Sequence, residues 1–217
     1  MSFKYVLFDF DGTIADSSEG VIESIAYAYK AFNKQLPDYE TIKCFFGPPL
    51  VSSFMKYAGA DEKTGEAMTA KYRELYTDNA MYRIKLYDGL EQLLKMLKDD
   101  GMKIAIASSK PTMFFDKLLA YLNIKQYFDA VCGARSDEKS TSKTDIILSA
   151  CEQFGVEDKN EVIMVGDRKY DILGAKGAGV KSIGVLYGYG ERDELEKAGA
   201  DYFAETTDEV YRIVKNI

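Results

Sequence analysis

Short runs of β-branched and aromatic residues alternate along the chain with longer stretches of helical period. The runs are KYVLFD (4–9), KIAIAS (103–108), YFDAVCG (127–133), EVIMVGD (161–167), KSIGVL (181–186) and ADYFA (200–204). Between them, GLEQLLKMLKDDG, MFFDKLLAYLN, TDIILSACEQFG, DILGAKGAG and DELEKAG place apolar residues at i, i+3, i+4 and i+7, one stripe of a helix. Alternation of this kind predicts an α/β fold built on a doubly wound parallel sheet. Ligands of such a sheet bind in the crevice beyond the carboxyl ends of its strands.

One interval breaks the alternation, because residues 15–85 carry no strand pattern. VIESIAYAYKAF (21–32) sets Val21, Ile25, Tyr29 and Phe32 on one stripe, and AMTAKYRELYTDNA (67–80) continues in helical style. The expected division is therefore a core of residues 1–15 and 85–217 with a helical insertion over 16–84. Hinged beside the end of the first strand, such an insertion would overhang the crevice and exclude water from it. Its tyrosines at 27, 29, 57, 72, 76 and 82 are expected mainly to pack. The acidic stretch ERDELEKAGADYFAETTDEV (191–210) reads as a solvated helix, strand and helix.

Composition narrows the chemistry. Among 217 residues there is no histidine, which removes Ser-His-Asp and Cys-His catalysis and every imidazole-bound metal. Catalysis must then use carboxylates, lysine, hydroxyls or an oxygen-bound cation. A formal net charge of −7 repels phosphodiester backbones, so small metabolites rather than nucleic acid are the expected partners. Cys44, Cys132 and Cys151 are widely spaced and form no C-x-x-C pair, and they are expected as buried thiols rather than a disulfide or zinc framework. No apolar run approaches the ~20 residues that cross a bilayer, and the N-terminus enters a strand without a signal-peptide core. A cytoplasmic protein without membrane partners, monomeric or homodimeric, is the expectation.

Four polar features fall at predicted strand ends. VLFDFDGT (6–13) ends a strand in Asp9 and Asp11, whose spacing of two puts both carboxylates on one face, where they repel unless a cation or shared proton compensates. Ser108-Ser109-Lys110-Pro111 closes the second strand, Lys143 opens a helix after the polar run RSDEKSTS (135–142), and Gly166-Asp167-Arg168-Lys169-Tyr170-Asp171 ends EVIMV. This set, in this order, resembles the four motifs of the haloacid dehalogenase superfamily, specifically its phosphatases with a helical (type 1) cap inserted after the first motif. The resemblance covers essentially the whole chain, and the combination is far more specific than any one element.

The resemblance implies a Mg2+-dependent hydrolase of small phosphorylated metabolites. Asp9 would attack phosphorus and ligate Mg2+, Asp167 would add a second carboxylate, and Asp11 would serve as general acid and base, with its main-chain carbonyl on the metal. Ser108, Ser109 and Lys143 would bind the phosphoryl group, and the N–H of Gly12 and its neighbours would approach it closely. Asp171 would orient Lys143 or a metal-bound water. Members of the superfamily that cleave carbon–halogen or carbon–phosphorus bonds lack the second acid, so Asp11 points to phosphate esters.

Within the helical insertion, KCFFGPPL (43–50) looks like the G-x-P-L segment of phosphoglycolate-phosphatase-like caps. Lys43, Gly47 and Pro48 are accordingly expected to select substrate. Lys43 stands where relatives often carry Arg, and Arg168 where many carry a small Ser, so the ester itself stays open. A 5'-nucleotidase, a pyrophosphatase and a β-phosphoglucomutase-like phosphomutase are the alternatives on the same fold, although Thr13 replaces the Val common in mutases. A phospho-ligand sensor without turnover is a further alternative, which the intact acids disfavour.

Overall fold

A computed structural model of the chain describes residues 3–134 and 141–216. Most of the polar run that precedes Lys143, residues 135–140, lies outside the described residues. The chain divides into two compact units, Met1–Ala15 with Leu86–Ile217, and Asp16–Lys85.

The first unit is built on a six-stranded sheet. Its strands are β1 (Tyr5–Phe8), β4 (Lys103–Pro111), β5 (Ala130–Ala134), β6 (Val162–Gly166), β7 (Lys181–Val185) and β8 (Tyr202–Ala204), in the order β5-β4-β1-β6-β7-β8. Every pairing is parallel, with Phe8 opposite Ile106 on one side and Val165 on the other. The chain leaves β1 for one side of the sheet and later crosses to the other, which makes the carboxyl end of β1 the switch point where ligands bind in such folds. Two further short strands, β2 (Ala15–Asp16) and β3 (Lys85–Leu86), pair with each other. Residues 15–85, expected to hold no strand, therefore have one at each edge.

Helices α5 (Leu90–Asp99), α6 (Phe115–Tyr121), α7 (Lys143–Phe154), α8 (Lys169–Ala178), α9 (Arg192–Ala198) and α10 (Thr207–Lys215) connect the strands. On one face of the sheet Leu7, Ala105, Ala107 and Met164 pack with Ile146, Ile147 and Ala150 of α7 and Ala175 and Ala178 of α8. The alternate residues Val6, Phe8, Ile104, Ile106, Ile163 and Val165 point the other way and are equally buried. Burial on both faces is why these strands read as continuous apolar runs. Strand β5 begins three residues later than expected because 125–127 form a 3-10 turn, and β4 runs on to Pro111 with a register shift between Ser108 and Pro111.

Two expectations fail here. The 191–210 stretch is not merely solvated, since Leu195, Ala198, Ala204 and Val210 are buried and Glu194 is half-buried against Arg168. Cys132 and Cys151 are free and buried, but Cys44 is half-exposed, because it caps a five-residue helix that buries only Ile42.

In the second unit, α1 (Ser18–Ala31), α2 (Tyr39–Lys43), α3 (Leu50–Tyr57) and α4 (Glu62–Asp78) pack around aromatic residues. Phe45 lies edge-on to Phe54 at 5.3 Å between ring centroids, with Tyr29 6.0 Å from Phe54. Asp38 and Asp61 cap α2 and α4 by accepting from the N–H of Thr41 and Thr64. Among the described residues no helix is long and apolar enough to cross a membrane.

Candidate active site

Strand β1 ends at Phe8, and Asp9 follows with its N–H bound to Val165 O of β6 at 2.9 Å. That bond holds the backbone of Asp9 in sheet register, so its carboxylate emerges at the switch point. Lys143, the first residue of α7, reaches the same place from the α7–α8 layer. Its stem passes against Gly174 of α8, where any Cβ would collide with Lys143 Cγ. The Lys143 ammonium donates to Asp9 Oδ1 (2.8 Å) and to Ala107 O (3.0 Å), and pairs with Asp171 Oδ1 at 2.7 Å. The first two are hydrogen bonds, whereas Asp171 Oδ1 is held by charge alone, a buried oxygen with no hydrogen-bond donor among the described residues. Lys143 therefore acts as a positive charge fixed between two acids, with one ammonium proton left for a phosphate oxygen.

Asp167, at the end of β6, is fully buried. Thr13 Oγ1 donates to its Oδ1 (3.1 Å) and the Tyr189 N–H to its Oδ2 (2.8 Å). Asp171, in the first turn of α8, accepts the Arg168 N–H on Oδ2 at 3.0 Å. Asp9, Asp167 and Asp171 form a buried group in which one carboxylate oxygen of each lies within 4.8 Å of the others. Three buried acids against one lysine leave negative charge uncompensated. Burial, followed by the charges of Asp171 and Asp9, pushes the Asp167 carboxyl well above its usual range. Burial and Asp9 push Asp171 up to about 6 even against the Lys143 ammonium. Burial alone would lower Lys143, but Asp171 and Asp9 overcome it and hold it above its ordinary value. An all-oxygen, anionic set of this kind fits a hard divalent cation such as Mg2+.

Ser108 is buried at the end of the regular part of β4; its Oγ accepts the Lys110 N–H at 3.3 Å and donates to no described residue, which leaves a hydroxyl proton for a ligand. Ser109 beside it is half-buried. Asp9 Oδ2 likewise receives no hydrogen bond from a described residue. Gly12, expected to offer its N–H to phosphate, spends it on Ala15 O at 2.9 Å in a tight turn with φ +85°. Its lack of a side chain instead makes room for Asp167 Oδ2, into which a Cβ would project.

Asp11 stands apart from the buried acids. Lys110 Nζ grips both its carboxylate oxygens, at 3.1 and 3.0 Å. Lys110 is a contributor that the strand-end motif Ser108-Ser109-Lys110-Pro111 does not single out, although its spacing of two from Ser108 is a signal that it shares that residue's face. The loop Tyr187–Gly190 is the second missed contributor. Besides the Tyr189 N–H on Asp167, Tyr187 OH donates to Thr13 O at 3.3 Å, and burial and Asp167 hold its phenol well above the usual value. Arg168 is committed to Glu194, with Nε 2.9 Å from Oε1.

Lys43, Gly47 and Pro48 belong to the helical unit. Lys43 ends α2 and pairs with Glu40 at 3.2 Å, Gly47 is exposed with φ +104°, and Pro48 is half-buried.

Residues 6–185 match the haloacid dehalogenase-like hydrolase family. A 5'-nucleotidase of Pseudomonas aeruginosa is 33% identical over 195 residues, covering 90% of this chain and 88% of that protein. Tyrosine-protein kinase PtkA of Mycobacterium tuberculosis is 31% identical over 209 residues, 95% of this chain and 71% of its own. The crystal structure of a predicted phosphatase from Clostridium acetobutylicum superposes with a TM-score of 0.94 at 40% identity, covering 100% of both chains.

Proposed function

The chain belongs to the haloacid dehalogenase-like hydrolase family and is an enzyme of phosphatase type, and from that premise we propose that it hydrolyses a small phosphate monoester with Mg2+ through an aspartyl-phosphate on Asp9. The observation that carries this reading is the buried group of Asp9, Asp167 and Asp171, compensated only in part by Lys143, at the carboxyl end of the central strand. Phosphate-monoester hydrolysis is among the slowest uncatalysed reactions, and charge neutralisation and positioning are what a protein can supply.

Asp9 and Asp167, with the main-chain carbonyl of Asp11, would hold Mg2+, which when bound neutralises phosphoryl charge and orients the ester. Asp9 Oδ2 forms a bond to phosphorus as the bond from phosphorus to the ester oxygen breaks, and the departing oxygen takes the proton of Asp11. Water then attacks the same phosphorus and gives a proton to Asp11. The bond from Asp9 to phosphorus breaks, inorganic phosphate leaves and the carboxylate is restored. Ser108 donates its hydroxyl proton to a phosphoryl oxygen, while Lys143 and Asp171 keep Asp9 in place. The helical unit acts as a cap, with Lys43, Gly47 and Pro48 among its specificity residues. The name of the P. aeruginosa relative supports a nucleoside monophosphate as one candidate ester.

Hydrolysis of p-nitrophenyl phosphate in the presence of Mg2+, its loss on adding EDTA and its return with excess Mg2+ are the expected results. Turnover that survives thorough chelation refutes the metal, and failure to release phosphate from any of ~80 phosphorylated metabolites refutes the reading.

A further inference from the structure

We propose that Lys110 is a positioning residue that sets the Asp11 carboxylate at the leaving-group oxygen of the substrate; the inference rests on the phosphatase reading above and deepens it. Asp11 lies in the loop beyond β1, two residues past the last sheet-registered group, so the strand does not fix its side chain. Lys110 does so. Its ammonium spans both carboxylate oxygens at 3.1 and 3.0 Å, and its side chain is 7% exposed against 25% for Asp11.

The lysine is itself held. Its N–H bonds Ser108 Oγ, and its ammonium lies 5.8 Å from the centroid of the Phe10 ring, which is fully buried and edge-on to Phe115 at 5.3 Å. Strands β1 and β4 are parallel neighbours with Phe8 opposite Ile106, so the residues that follow them come out at the same end of the sheet. The interrupted pairing between Ser108 and Pro111 releases this part of β4 from the regular ladder to turn toward the site. The two lysines meet different acids: Lys143 pairs with Asp9 and Asp171, and Lys110 with Asp11. A group that must receive and return a proton at one fixed atom loses much of its effect when displaced by about 1 Å.

Leaving-group dependence separates this role from substrate binding. Phenyl phosphate needs its leaving oxygen protonated more than p-nitrophenyl phosphate, and kcat/KM reports the step in which that oxygen departs. Lys110→Met is expected to lower kcat/KM about 100-fold for phenyl phosphate and about 10-fold or less for p-nitrophenyl phosphate. Lys110→Arg, whose fork can also span a carboxylate, should recover most of the loss. In an Asp11→Asn background, Lys110→Met should cost less than about threefold, because the group it positions is gone. Equal losses for both esters, a rise in KM alone, or an undiminished effect in the Asp11→Asn background would overturn the inference and make Lys110 a binding or structural residue. Lys110→Gln carries the same comparison should the Met variant fail to fold. A wild-type enzyme that hydrolyses neither ester with Mg2+ overturns the phosphatase reading itself, whereas an active one with leaving-group-independent losses overturns only the role of Lys110.

Discussion

The α/β unit and the helical unit bury different kinds of polar residue. Among the described residues, the first buries the charged side chains of Asp9, Asp167, Asp171 and Lys143, whereas the second buries only hydroxyls, Ser17, Ser24, Ser53 and Thr69. Ser24 Oγ donates to Gly20 O at 2.7 Å and Thr69 Oγ1 to Gly65 O at 2.8 Å, so each of these is satisfied within its own helix turn. The buried charges depend on distant partners: Lys143 lies 134 residues from Asp9, and Thr13 lies 154 from Asp167. Charge buried at long range is costly unless the fold holds its partners together, and it marks the place where the chain does chemistry rather than packing.

The largest effect should come from removing one of those charges. Asp9→Asn is expected to cut turnover by ~10³-fold or more while far-UV circular dichroism stays native, because the amide cannot form the acyl-phosphate. Retained turnover would erase the distinction between the units. In the helical unit the corresponding damage is steric. A Cβ on Gly20 would drive into Ala80 O, where α1 meets the 3-10 turn at Ala80–Tyr82. Gly20→Ala should destabilise the protein by roughly 2 kcal/mol in urea denaturation without changing the chemistry on p-nitrophenyl phosphate; native stability would show that this unit tolerates a shift the model of tight packing forbids.

The smallest effect sharpens what a surface charge does in the α/β unit. Asp129 accepts from Lys98 Nζ at 2.9 and 2.8 Å, from Lys103 Nζ at 3.3 Å and from the Ile104 N–H at 2.9 Å. Partial burial would raise its carboxyl, but Lys98, the Ile104 N–H and Lys103 win and hold it below its usual range. A depressed folded-state value means stability present above the unfolded-state pKa and lost as pH falls through the folded one. Asp129→Asn should therefore cost about 1 kcal/mol at pH 7, after allowance for solvent screening, and the difference from wild type should shrink below about pH 4. A difference that is constant with pH would assign the loss to packing rather than charge.

Much of this was legible in the chain. The core strands 4–9, 103–108, 161–167 and 181–186 were readable because strands buried on both faces are continuous apolar runs. The polar residues at their ends stood out for the same reason, each interrupting or closing an apolar run. Lys110 and the Tyr187–Gly190 loop were not legible as parts of the site, since a lysine or a Gly-Tyr turn next to a strand has an ordinary solvated reading until its partner is known. The contrast between buried and half-exposed cysteines was equally hidden, because it depends on what α2 packs against.

By itself the sequence determined the alternation of strand and helix, the helical interruption after the first strand, and a D-x-D pair whose repulsion needs a cation or a shared proton. Only the tertiary structure decided which cation meets which acid. The spacing of two predicts mutual repulsion between Asp9 and Asp11, and the fold answers it by giving each its own cation, Lys143 from α7 on Asp9 and Lys110 from β4 on Asp11. The physical reason is range: side-chain periodicity is local and readable, whereas partners 99 and 134 residues away come together only through strand order and helix packing.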